Sequence, residues 1–218
     1  MTRKTEKIPS IFTTDNEPYL GMESLLWFDR IIIWSMKCNK LAADYTISNR
    51  NRLDNLQKVA CELIPQGLSI ALSIRELIRQ AYLFSAMILI RPLIERASVL
   101  RYLLQNPSEI SVWETGWKYR DRPKLAKMLH NMNPSSRIED AQSVCDSHNH
   151  MIHGDPVSSY FNLLKLPDGQ FGYSSGKMLS NHELADNIAM EAQSYLIVIT
   201  ATIKEVFPSI TFPELSHD

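Results

Sequence analysis

The sequence predicts an all-α fold, a bundle of five to six helices with a small β-hairpin insertion at residues 160–175. Three observations carry this reading. Apolar residues recur three and four positions apart along most of the 218-residue chain, the period of helices that bury one face. No alternation of strands and helices occurs of the kind that builds a parallel sheet. Only residues 160–173 combine aromatic and branched residues with a Pro-Asp-Gly turn signal, the pattern of a hairpin.

The elements follow in order. Residues 1–18 carry Pro9 and Pro18 among mixed polar residues and are expected to form a flexible arm, leaving 19–218 as a single helical domain. A first helix is expected over 22–45, with Leu25, Leu26, Phe28, Ile32, Ile33 and Met36 at helical spacing. Ser48-Asn49-Arg50-Asn51 then reads as a turn. Residues 53–104 are helical in pattern almost throughout, with a break expected at Pro65-Gln66-Gly67 and a kink or join at Pro92. Asn106-Pro107 closes that stretch. Trp113 and Trp117, four apart, predict a short helix, as do residues 125–129. After a loop at 131–136, Ser136 is expected to cap a helix over 137–153 that Gly154 terminates. Ser180 is expected to cap a last long helix that runs to about Phe207, before Pro208.

Composition narrows the function classes. A formal net charge of −1 excludes an overall basic coat for nucleic acid and leaves room only for a local patch. Cys38, Cys61 and Cys145 are odd in number and unlike any zinc spacing, so they read as reduced thiols of a cytoplasmic protein. The basic N-terminus has no apolar run behind it and does not read as a secretory signal. The most apolar stretch, 83–90, lies between Arg79 and Arg91 and falls far short of the ~20 residues of a membrane span. The seven glycines are scattered, with no phosphate-cradling loop and no Gly-x-Ser-x-Gly elbow.

Chemistry concentrates in Ser147-His148-Asn149-His150-Met151-Ile152-His153-Gly154-Asp155-Pro156, which holds three of the six histidines. Histidine exchanges protons near neutral pH. Two chemistries are open. In one, His153 is a general acid or base acting on an RNA 2′-hydroxyl and the adjacent phosphate, a reaction that needs no metal. In the other, Asp146, His150 and His153 share a helix face as a two-histidine, one-carboxylate metal site. Against both stands a plain helix terminus, solvated or in contact with a partner, where histidines suit the C-terminal dipole. Cys145 and His148 (i, i+3) are in reach of each other without an orienting third group, and Cys145 reads as a packing residue.

Two further features lie outside this segment. Arg91 and Glu95, four apart on an apolar helix, form an expected partly buried pair, which either fixes packing or reaches the histidines. In the second case Glu95 would orient an imidazole and Arg91 would supply positive charge. The densest basic run is Lys118-Tyr119-Arg120-Asp121-Arg122-Pro123-Lys124, followed by Lys127. Lys118, Arg120, Arg122 and Lys124 are the candidates for RNA phosphates, with Trp113 and Trp117 near enough to stack a base; otherwise the run is a solvated surface.

The segment His148-Asn149-x-x-x-His153-Gly154 resembles the signature of the HEPN superfamily, in which a core helix carries an arginine, a polar residue, spacers and a histidine. The resemblance implies a helical homodimer whose two motifs face each other, and metal-independent ribonuclease chemistry without a cofactor. The context it implies is toxin–antitoxin or phage defence in the bacterial cytoplasm. His153 then takes the family histidine's role as acid or base, Asn149 the polar position, and His148 stands where the family has arginine. Arginine offers phosphate a permanent forked charge, whereas histidine is mostly neutral at pH 7. Leu89-Ile90-Arg91-Pro92-Leu93-Ile94-Glu95 is similar to the L-x-R-x-x-x-E helix of a group of uncharacterised bacterial helical proteins, which also carry a later Ser-x-x-x-His-Gly segment. Arg91 and Glu95 are then supporting residues. The alternative is a non-catalytic interaction module with a degenerate motif. An enzyme requires an open, positively charged cleft at His153; the module requires a buried or solvated helix end.

Overall fold

The computed structural model describes residues 17–118, 122–159, 163–165, 168–173 and 176–215. The fold is all-α apart from one short two-stranded ladder. Its long helices are α1 (Glu23–Ser48), α2 (Asn55–Arg79), α3 (Leu83–Gln105) and α8 (His182–Val206). Shorter ones lie between α3 and α8: α4 (Ile110–Glu114), α5 (Leu125–Met132), α6 (Ile138–Ile152) and α7 (Pro156–Ser159). Strand β1 (Leu163–Lys165) pairs antiparallel with β2 (Phe171–Tyr173), Leu163 lying opposite Tyr173. The remaining residues of the expected hairpin, 160–162, 166–167 and 174–175, lie outside the described residues, as do 1–16 of the expected arm. Among the described residues no helix is long and apolar enough to cross a membrane.

The four long helices share one core. From α1 it takes Leu25, Phe28, Ile32 and Cys38; from α3, Ile90, Leu93, Ile94 and Leu100; from α8, Ile188, Leu196, Ile199 and Ile203. Each set follows the helical period, so burial of one stripe per helix explains the packing. On α1 the buried stripe includes Ile31 and Trp34, while Leu26, Ile33 and Met36 are exposed. The apolar pattern there was broader than the buried face.

Polar links fix the register of the bundle. Ser35 Oγ and Thr200 Oγ1 lie 2.7 Å apart in the buried seam between α1 and α8. Arg75 of α2 donates to both oxygens of Asp29 at 2.6 and 3.0 Å and to Glu17 at 2.8 Å, a forked pair that ties α1 to α2. Trp34 Nε1 donates to the carbonyl of Pro213 at 2.8 Å and holds the C-terminal segment against α1.

Four local expectations are corrected. The helix does not break at Pro65-Gln66-Gly67, because α2 runs through all three. Proline removes its own hydrogen bond to the carbonyl four residues back and crowds that carbonyl, a local cost that packing of the whole helix can outweigh. The carbonyl belongs to Cys61, which is exposed, so water can satisfy it. Gly67 lets α8 approach closely: a Cβ there would lie 2.5 Å from Ile199 Cδ1 of α8, so the isoleucine would have to shift. Of the kink or join expected at Pro92, the join is overturned, because α3 continues through that residue. Trp117 falls outside α4, since Gly116 turns the chain at φ 82°. The caps also shift by one residue. Ser136 donates to Asn133 while Arg137 is the N-cap of α6, its N–H donating to Asp140 at 3.1 Å. Asn181, not Ser180, caps α8 by accepting from the Leu184 N–H at 3.1 Å.

The α2–α3 connection is a Schellman turn without glycine. Ala81 has φ 66°, its N–H donates to Ile78, and the Tyr82 N–H donates to Leu77 at 2.8 Å. The same turn closes α6 with the residue it favours. Gly154 has φ 69°, and the Asp155 N–H donates to the His150 carbonyl at 3.3 Å.

Candidate functional site

Helix α6 carries the histidine segment and lies beside α3 and α5. It buries only Ala141, Cys145 and His148. Its other faces therefore present polar residues on different sides.

His148 faces inward. It is 7% exposed, and its Nε2–H donates to Glu191 Oε1 of α8 at 2.8 Å. Met87, Met151 and Ile188 are among the residues around this contact. Asn149, one residue on, is turned by about 100° and lines a different cavity. His150 is exposed and hydrogen-bonds through Nδ1 to Asp155 Oδ2, which locks the Gly154 turn. His153 is exposed, and as the C-cap of α6 its N–H donates to the Asn149 carbonyl at 3.0 Å. His148 thus faces away from the cleft that Asn149 lines, because one helical step of about 100° separates the two.

The metal alternative is corrected. Asp146 accepts from Gln142 Nε2 at 2.8 Å and His150 is held by Asp155. Among the described residues no group of three or more His, Cys, Asp or Glu is placed to hold a metal ion.

The cavity at Asn149 is an open cleft of about 700 Å³ between α3, α5 and α6, lined among others by Arg91, Glu95, Arg122, Lys124, Gln142 and Asn149. Arg91 forms its floor. Its Nε donates to Glu95 Oε1 at 3.2 Å and its Nη1 donates across to the Cys145 carbonyl of α6 at 3.2 Å. Arg91 is mostly buried, with 16% of its side chain exposed. Glu95 does not orient an imidazole as one reading expected; its Oε2 lies 3.7 Å from Arg122 and 4.0 Å from Arg96. Three cations face one carboxylate in the cleft, so its field is positive.

The N-terminus of α5 opens into this cleft through Leu125 and Ala126. Its N-cap is Lys124, which makes no side-chain cap hydrogen bond. First-turn amides with no cap carry partial positive charge and accept an anion readily. Of the basic run, Arg122 and Lys124 line the cleft, Lys118 is exposed outside it, and Arg120 lies outside the described residues. Asn149 is also a residue that the sequence singles out, whereas Gln142 is not. Gln142, Cys145 and Asn149 sit on one stripe of α6, a legible signal; Glu191, the partner of His148, lies 43 residues away and left none.

Burial governs the titrating groups nearby. The Cys145 thiol is pushed up by burial, which the Arg91 charge only partly offsets. Burial and the Glu191 carboxylate hold the Tyr195 hydroxyl well above the usual phenol range.

Residues 57–143 match a family of unknown function (DUF5677). The matched stretch contains Arg91, Glu95, Arg122, Lys124 and Gln142 and ends before His148. No curated protein and no solved structure matches the chain.

Proposed function

We propose that this is a HEPN-like RNA-binding protein of the toxin or phage-defence type, and that a backbone phosphate of the RNA sits in the cleft between α3, α5 and α6. One observation carries the reading. Arg91, fixed in advance by Glu95 and the Cys145 carbonyl, faces an open cavity shared with Arg122, Lys124, Asn149 and the uncapped start of α5. A positioned guanidinium and the first amides of a helix without a side-chain cap, here those of Leu125 and Ala126, are groups that hold a phosphate. Here Arg91 supplies the permanent charge that histidine lacks at position 148.

A second reading adds cleavage. His153 is exposed one helical turn beyond Asn149, close enough in sequence to act as acid or base on RNA held in the cleft. His148 takes no part, because Glu191 and the core hold it. A homodimer would bring a second His153 to the same RNA.

The test is fluorescence anisotropy of a labelled RNA at several salt concentrations. Arg122→Glu with Lys124→Glu is expected to weaken binding at least about tenfold and to flatten the salt dependence. Unchanged binding and slope would remove the cleft from the proposal. The cleavage reading is tested on cellular RNA with EDTA present: products from the wild type that vanish in His153→Ala support it, and no products from either protein leave a binding module.

A further inference from the structure

A second compartment adjoins the cleft on the opposite side of Glu95. It measures about 420 Å³, is open to solvent, and is lined among others by Gln66, Glu95, Arg96, Trp113, Trp117 and Arg122. Glu95 and Arg122 line both cavities, so the two form neighbouring halves of one groove across α3.

The halves differ in chemistry. The first offers cations and helix amides. The second offers two indoles beside a guanidinium–amide pair, since Arg96 Nε donates to Gln66 Oε1 at 2.7 Å. Trp117 is held by an edge-on contact with Tyr102, ring centroids 6.1 Å apart. Trp113 projects from α4 and is half-buried. Gly116 also lines the compartment, and a Cβ there would meet nothing within 4 Å among the described residues. An aromatic wall next to a fixed guanidinium–amide pair suits a flat, polar-edged ring.

We propose that this compartment holds an unpaired nucleobase while the adjoining cleft holds a phosphate of the same strand, so that the groove binds single-stranded nucleic acid and not duplex. The inference rests on the phosphate reading of the cleft. Arg122 lines both halves and so adjoins both the phosphate and the base. A paired base cannot enter, because both its edge and its faces are occupied in the duplex.

The experiment compares three probes of equal length with the intact protein: a single-stranded RNA, the same strand with abasic sites in place of bases, and its duplex. Anisotropy gives affinity, and quenching of tryptophan emission reports stacking. The based strand is expected to bind about tenfold more tightly than the abasic one and to quench emission where the abasic strand does not. Trp113→Ala is expected to abolish that difference and Trp113→Phe to keep most of it. The abasic comparison on the wild type stands even where the alanine variant folds poorly. Equal binding of based and abasic strands overturns the base compartment and leaves the phosphate cleft intact. Tighter binding of the duplex also overturns it. No binding of any probe overturns both readings together.

Discussion

His148 Nε2 lies 2.8 Å from Glu191 Oε1, so the first histidine of the segment is bonded to the last long helix and not to the open cleft. The contact joins α6 to α8 across 43 residues of sequence. A buried imidazole with a partly exposed carboxylate partner acts as a bolt between helices.

Removing that bolt should cost stability. His148→Ala deletes the hydrogen bond and leaves a hole in a site that is 7% exposed; the expected loss is about 1–3 kcal/mol. His153→Ala, at an exposed helix end, is expected to change stability by less than about 0.5 kcal/mol. Urea unfolding of the two variants checks this, and equal losses would mean that Glu191 does not anchor α6.

The close approach of α2 and α8 at Gly67 makes a coupled prediction. Gly67→Ala gains helix propensity of up to about 1 kcal/mol, but its methyl would sit 2.5 Å from Ile199 Cδ1, in a side chain only 1% exposed. The single substitution is expected to destabilise by about 1 kcal/mol or more. Ile199→Val removes the clashing carbon, so Gly67→Ala should be neutral or stabilising in that background. A double-mutant cycle with no coupling would contradict the contact.

Thiol chemistry should separate the three cysteines. Cys38 and Cys145 are buried, and burial raises both thiols, so little thiolate forms at pH 8. Cys61 is exposed, though its thiol is also raised. Titration of the folded protein with a thiol reagent should modify Cys61 alone and slowly, with Cys38 and Cys145 reacting after denaturation. Fast modification of Cys145 would show that water and reagent reach behind Arg91.

The helical class was readable because apolar spacing is a local property. So were the turn at Asn49, the end of α3 at Asn106 and the Gly154 stop. Pro65 and Gly67 misled because local breakers lose to packing: α2 is held on one face by α3 and α8, and Gly67 is there for the neighbouring helix. The site was half legible. Arg91 and Glu95 were recognised from polarity on an apolar helix, and Arg122 and Lys124 from the density of charge. The three histidines read as one centre in sequence, but His148 is turned inward onto Glu191 while His150 is held at the surface by Asp155. Glu191 and Gln66 became partners only through tertiary contacts, which no spacing encodes.

The thin attachment of α6 has a dynamic consequence. Only Ala141, Cys145 and His148 of its fifteen residues are buried, whereas α1, α2, α3 and α8 interlock through a shared interior. Segments with few apolar contacts open without global unfolding. Backbone amides of α6 should therefore exchange with deuterium well before those of α3, through excursions in which Arg91 releases the Cys145 carbonyl. Any anion that bridges Arg91 to the start of α5 would slow that exchange, so the breathing of one short helix reports occupancy of the groove beside it.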